Sequence, residues 1–230
     1  MNAPSPPAVD PATLTVGVLG GTGNQGKGLA LRWAQAGISV VVGSRDAGRA
    51  ENAAKEYREA AGVEHVRGAD NATCAAESDV VLAAIPWESH AETLRGLVEP
   101  LKGKILVDCV NPIGFDKRGP YPLPVAEGSV AQQAEQILPG SRVTAAFHNV
   151  SAVLLADLEQ ATVDCDVLVL GDDREATDVV RALADVIPGV RGIYGGRLRN
   201  AYQVECLTAN LIAINRRYRV HAGIKITDMD

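Results

Sequence analysis

The chain has 230 residues, 47% hydrophobic and 22% charged, which is enough for one sizeable core with a small appendage and excludes an extensively disordered protein. A formal net charge of −6 argues against general nucleic-acid binding, so a polyanionic ligand needs a local basic patch. No stretch is apolar enough for long enough to span a bilayer, and Cys74, Cys109, Cys165 and Cys206 form no C-x-x-C pair; reduced core thiols, a cytoplasmic location and no zinc site are expected.

Met1 to Ala12 carries four prolines and lacks both a basic and an apolar leader region, so it reads as a flexible tail rather than a signal peptide. The apolar run Leu14 to Leu19 then enters Gly20-Gly21-Thr22-Gly23-Asn24-Gln25-Gly26-Lys27-Gly28. Gly21, Gly23 and Gly26 fit G-x-G-x-x-G, in which the three glycines permit a tight turn, close backbone approach to pyrophosphate and close helix–strand packing. The same stretch approaches a mononucleotide P-loop. However, Gly28 stands where a Ser or Thr hydroxyl is needed for magnesium, so the dinucleotide reading leads.

A helix over Leu29 to Ala36, stopped at Gly37, leads into the buried strand Ile38 to Val42 and then Gly43-Ser44-Arg45-Asp46. NAD sites commonly place a carboxylate at this strand end for the ribose 2′-OH, whereas a 2′-phosphate needs donors and positive charge. Ser44, Arg45 and Arg49 supply these, which favours NADP; Asp46 either contacts ribose or caps the helix predicted over Ala47 to Ala60. Further strands are predicted at Val63–Val66, Asp79–Ile85, Lys104–Asp108 and Arg142–Phe147, with helices between most of them.

That alternation predicts an α/β protein with a Rossmann-type doubly wound parallel sheet, whose ligands lie outside the carboxyl ends of the strands. Three more strand ends thus become candidates: Ile85-Pro86-Trp87-Glu88, Val110-Asn111-Pro112 and His148-Asn149-Val150-Ser151-Ala152. The segment Asn111 to Gly128, rich in Gly and Pro, has no clear assignment. A strand over Asp166–Leu170, a helix over Arg174–Val186, a short strand at Arg191–Tyr194 and a long helix from about Leu198 complete the chain. The expected organisation is a tail over 1–12, a nucleotide domain over 13–150 and a small C-terminal α/β extension over 151–230 that packs on it. An apolar stripe of Leu207, Leu211, Ile212 and Ile214 in the last helix faces either the core or a second subunit.

GGTGNQGKGLALR, VVVGSRD with Arg49, AAIPWE, the FHN segment and the closing LIAINRRYR and AGIKIT together resemble the F420-dependent NADP reductase family, from about Leu14 to Thr227. The resemblance implies NADP and coenzyme F420 as the two substrates, hydride exchange between them and a homodimer. It places Thr22, Gly23, Asn24 and Gln25 at the pyrophosphate, Ser44, Arg45 and Arg49 at the 2′-phosphate, and Ile85, Pro86 and Val110 on the nicotinamide side. The segment from His148 to Ala152 would face the deazaflavin. Gln25, where Leu can follow Asn24 in the family, and Arg49, where Lys can stand, keep the same chemistry.

His148 then either hydrogen-bonds the deazaflavin or serves a structural bond, and Trp87 either walls the pocket or packs in the core. Arg197, Arg199, Arg216, Arg217, Arg219 and Lys225 are the dense basic supply for an anionic tail, or else a solvated helix face. Two other readings remain at this point: an NADPH-dependent reductase of another acceptor, and a non-catalytic NADP-binding sensor. No tyrosine–lysine pair, metal set or separate substrate domain supports the former, and little sequence is left for a partner module in the latter.

Overall fold

A computed structural model describes residues 9–229. In chain order it contains β1 (Thr15–Leu19), α1 (Asn24–Gln35), β2 (Ser39–Ser44), α2 (Ala47–Ala61), β3 (Val66–Asp70), α3 (Asn71–Ala76), β4 (Val80–Ala83) and α4 (Trp87–Arg95). There follow the short α5 (Val98–Leu101), β5 (Ile105–Asp108), β6 (Ile113–Asp116), β7 (Gly119–Pro122), α6 (Val130–Ile137), β8 (Arg142–Ala145) and α7 (Ala152–Ala156). The last elements are β9 (Cys165–Gly171), α8 (Arg174–Asp185), β10 (Val190–Gly196) and α9 (Ala201–Tyr218).

Eight strands form one sheet in the order β10-β9-β8-β5-β4-β1-β2-β3, and β6 pairs with β7 in a separate antiparallel hairpin. From β3 across to β8 every pairing is parallel; β9 runs antiparallel to β8, and β10 runs parallel to β9. The sheet is therefore mostly rather than wholly parallel. The period-two alternation of the strands sorts side chains into two apolar layers. Val16, Val18, Val40, Val42, Leu82 and Val107 pack with α1, α2, α7 and α8 on one face. Leu19, Val41, Val81, Ala83 and Leu106 pack with α3, α4, α6 and the start of α9 on the other.

Several segments differ from the sequence expectation, among them the strand expected over Asp79–Ile85, which ends at Ala83. The strand expected at Val63–Val66 begins only at Val66, because Gly62 takes a left-handed conformation that ends α2 (φ 68°) and Val63 N–H returns to Arg58 O. The strand expected to reach Phe147 stops at Ala145, and Phe147 itself is left-handed (φ 65°). The unassigned segment after Asn111 holds the β6–β7 hairpin, turned at Lys117-Arg118 with Asp116 Oδ1 accepting from Arg118 N–H. Of the expected tail, residues 1–8 lie outside the described residues, while Pro11–Thr13 form a 3-10 turn capped by Asp10, and Val9 packs against the first apolar layer.

Candidate nucleotide-binding site

The turn after β1 works as the glycine pattern requires. A Cβ on Gly26 would stand 2.8 Å from Gly20 O and 2.9 Å from Gly21 Cα, so the start of α1 can pass the turn only because this residue has no side chain. A Cβ on Gly23 would meet only Gly20 O, at 3.2 Å. The space in front of Gly23 is open to a ligand. Gly23 is also the N-cap of α1 and makes no side-chain cap, which leaves the first N–H groups of the helix directed at the cleft with the positive end of the dipole. Tyr57 Oη donates to Gly21 O at 2.7 Å and steadies the loop from α2.

A cleft of about 450 Å³ opens here, and Thr22, Gly23, Asn24 and Gln25 line its floor. Ser44, Arg45 and Arg49 line one end and Ile85 and Pro86 the other. Asp46 is the helix cap: its Oδ1 accepts Arg49 N–H at 2.7 Å. Neither the Arg45 nor the Arg49 guanidinium has an ion-pair partner among the described residues, and both are exposed. Asn71, Ser89 and Thr93 also line the cleft and were missed by the sequence reading. Asn71 follows directly on β3, so the misplaced third strand hid it.

Val110, His148 and Ala152 are not among the residues lining this cleft; they occupy the adjoining ends of β5 and β8 and the start of α7. Gln25 Nε2 donates to Phe147 O at 3.1 Å and ties the glycine loop to the end of β8. The carbonyl of His148 accepts from Thr208 Oγ1 of α9 at 2.8 Å. The imidazole of His148 is buried, and neither ring nitrogen has a hydrogen-bond partner among the described residues. Burial pushes its pKa down to about 4, with Asp108 pulling weakly the other way, so the ring is neutral at pH 7.

Ala152 opens α7 behind its cap Ser151, and Trp87 packs against the second apolar layer with its ring centroid 6.0 Å from that of His90. The basic supply is divided. Arg197 pairs with Asp172 at 3.2 Å and Lys225 pairs with Asp164, while Arg216 lies over the Phe115 ring at 5.3 Å and, with Arg217, faces Lys117 and Arg118 of the hairpin. Of the apolar stripe of α9, Leu211 is buried, Leu207 and Ile212 are half-buried and Ile214 is exposed.

An open helix N-terminus behind a glycine turn, at the carboxyl edge of a mostly parallel sheet, defines a Rossmann-type dinucleotide-binding protein. A family model described as "NADP oxidoreductase coenzyme F420-dependent" matches residues 15–112. F420-dependent NADP reductases from Methanothermobacter thermautotrophicus and Methanocaldococcus jannaschii are 43% and 40% identical to the chain, each over 94% of it and over 96% and 100% of their own lengths. A crystal structure from Arthrobacter sp. FB24, with a proposed F420-dependent NADP reductase assignment, superposes with a TM-score of 0.78 at 28% identity, covering 93% of this chain and 99% of its own. The chain belongs to the F420-dependent NADP reductase family.

Proposed function

We propose that the protein exchanges hydride between NADP and coenzyme F420. The observation that carries the nucleotide half is the pair of unpartnered guanidiniums, Arg45 and Arg49, beside Ser44 at one end of a cleft whose floor is the N-terminus of α1. These groups fit a 2′-phosphate and a pyrophosphate respectively. When bound, the two coenzymes supply the donor and acceptor carbons themselves, nicotinamide C4 and deazaflavin C5. The chain's own residues hold the nucleotide by its phosphates, present the apolar Ile85 and Pro86 with Val110 to the nicotinamide and exclude water.

The deazaflavin side is assigned to the His148–Ala152 segment. A buried, neutral imidazole with two unused nitrogens is a suitable hydrogen-bond partner for a carbonyl or ring nitrogen of the second coenzyme. The exposed basic shelf of Lys117, Arg118, Arg216 and Arg217 suits an anionic tail. A homodimer is supported by the end of α9 and the residues after it, where Ile214, Tyr218 and Val220 stay exposed, as does Phe115 of the hairpin. The free cysteines fit a cytoplasmic setting.

Anaerobic mixing of the protein and NADPH with oxidised F420, with flavin mononucleotide as a parallel acceptor, tests the reading. Rapid bleaching of the deazaflavin alone is expected. Equal or preferential reduction of the flavin would overturn it.

A further inference from the structure

A polar cluster lies inside the second apolar layer. His90 of α4 and Asp108 at the end of β5 are both fully buried, with Nε2 and Oδ2 2.7 Å apart. His90 Nδ1 lies 3.0 Å from Gln133 Oε1, and Gln133 Nε2 donates to both carboxylate oxygens of Glu127 at 3.2 Å. The Glu127 carboxylate only accepts, so the Gln133 amide is fixed in one orientation and its Oε1 receives Nδ1–H from His90. One further proton is held between Nε2 and Oδ2, and the pair is neutral overall wherever that proton sits. From α9, the Glu205 carboxylate closes the cluster by accepting Val130 N–H at 2.9 Å and Ala131 N–H at 3.1 Å.

A buried pair of this kind is weak evidence for stability, because desolvation offsets most of its attraction. Its placement is more informative. Asp108 Oδ1 accepts the Val110 N–H at 3.0 Å and so sets the peptide that presents Val110. His90 sits one turn into α4, whose N-cap is Pro86, directly after Ile85. The Nε2–Oδ2 contact is therefore a cross-tie between the two walls assigned to the nicotinamide.

We infer that His90 and Asp108 are positioning residues for hydride transfer, tying the Ile85–Pro86 turn that lines the cleft to the adjoining Val110 peptide so that the two keep one spacing. The inference rests on the nicotinamide assignment made above. Misplacement by about 1 Å can cost on the order of 100-fold in rate, so a loosened tie acts on transfer while leaving the phosphate end intact.

The test compares Asp108→Asn with the double variant His90→Leu/Asp108→Asn. In the single variant the amide still accepts from Val110 N–H and donates to a neutral His90, so the tie survives. In the double variant it is cut without burying a lone carboxylate. Single-turnover hydride transfer is expected to stay within about threefold of wild type in the first and to fall at least tenfold in the second. Binding of 2′,5′-ADP, which fills only the phosphate end, should be unchanged in both.

A double variant that binds 2′,5′-ADP and transfers hydride at the rate of the single variant overturns the inference. If the double variant does not fold, nitrogen NMR of the His90 ring in the wild-type protein decides: NADP+ should shift its resonances and 2′,5′-ADP should not. Absence of a shift with NADP+, or an equal shift with both, overturns it. Val110→Phe separates the two levels. Unimpaired transfer in that variant removes the nicotinamide assignment and this inference with it, whereas blocked transfer there and normal transfer in the double variant removes the inference alone.

Discussion

Asp46 commits its carboxylate to the N–H of Arg49, and among the described residues no acidic side chain lines the cleft. Discrimination between the dinucleotides thus falls to two guanidiniums. Replacing Arg45 and Arg49 by Ala should raise the Michaelis constant for NADP by about tenfold or more per residue, with little change for NAD, since a charge-assisted bond to phosphate contributes about 1.5–3 kcal/mol. Steady-state kinetics with both dinucleotides check this, and equal effects would remove the 2′-phosphate assignment. His148 and Glu205 make opposed predictions about pH. Burial holds the His148 pKa near 4, below its ordinary 6.5, so its contribution to stability is present above pH 6.5 and is lost as pH falls towards 4. Burial raises Glu205 from 4.5 to about 7, against the pull of the Val130 and Ala131 N–H groups; its contribution is present below pH 4.5 and is lost as pH rises through 7. Each is on the order of 3 kcal/mol across its window. Urea midpoints of His148→Gln should therefore fall less between pH 6.5 and 4 than those of the wild type, and those of Glu205→Gln should fall less between pH 4.5 and 7. Unchanged pH slopes would show that neither group titrates as its burial demands.

Among the elements, the turn between β1 and α1 offers a contrast between two glycines of one motif. Gly26→Ala forces a methyl against backbone atoms of Gly20 and Gly21 and should destabilise the fold by about 1–3 kcal/mol, read as a lower denaturation midpoint. Gly23→Ala meets one carbonyl at 3.2 Å and should leave stability nearly unchanged while weakening NADP binding measured by calorimetry. The elements that the sequence made legible share one property: each is a sharp local switch of period, as where Leu14–Leu19 runs into glycines or Ile38–Val42 ends at Ser44-Arg45. β3 was less legible because Arg67, Gly68 and Asp70 interrupt its apolar run. The hairpin was hidden by Pro120 and Pro122 within β7 and by a Lys117-Arg118 turn with none of the usual Asn-Gly signal. Asn71 and the His90–Asp108 tie depend on which strand ends become neighbours, and no local pattern carries that.

At the scale of the molecule, alternating strands and helices implied parallel pairing throughout, and that holds from β3 to β8. It fails at β9. A parallel return needs a crossover, usually a full helix, but the five-residue α7 between β8 and β9 lies against α1 instead. The exposed apolar end of α9 makes the assembly testable: Ile214→Asp with Tyr218→Asp should turn a dimer into a monomer in sedimentation velocity, whereas a wild-type protein that already sediments as a monomer would discard the dimer. The reversal at β9 also bears on how the molecule comes together. It sets off β9, α8 and β10 as a unit whose partners are adjacent along the chain, whereas β1, an inner strand of the sheet, must await β4 for its second neighbour. Loop closure makes distant pairings slow, so in refolding the amides of Val167 and Val169 should gain protection from exchange before those of Val16 and Val18. Pulsed hydrogen-exchange labelling measures that order directly; simultaneous protection would mean that the two parts fold as one.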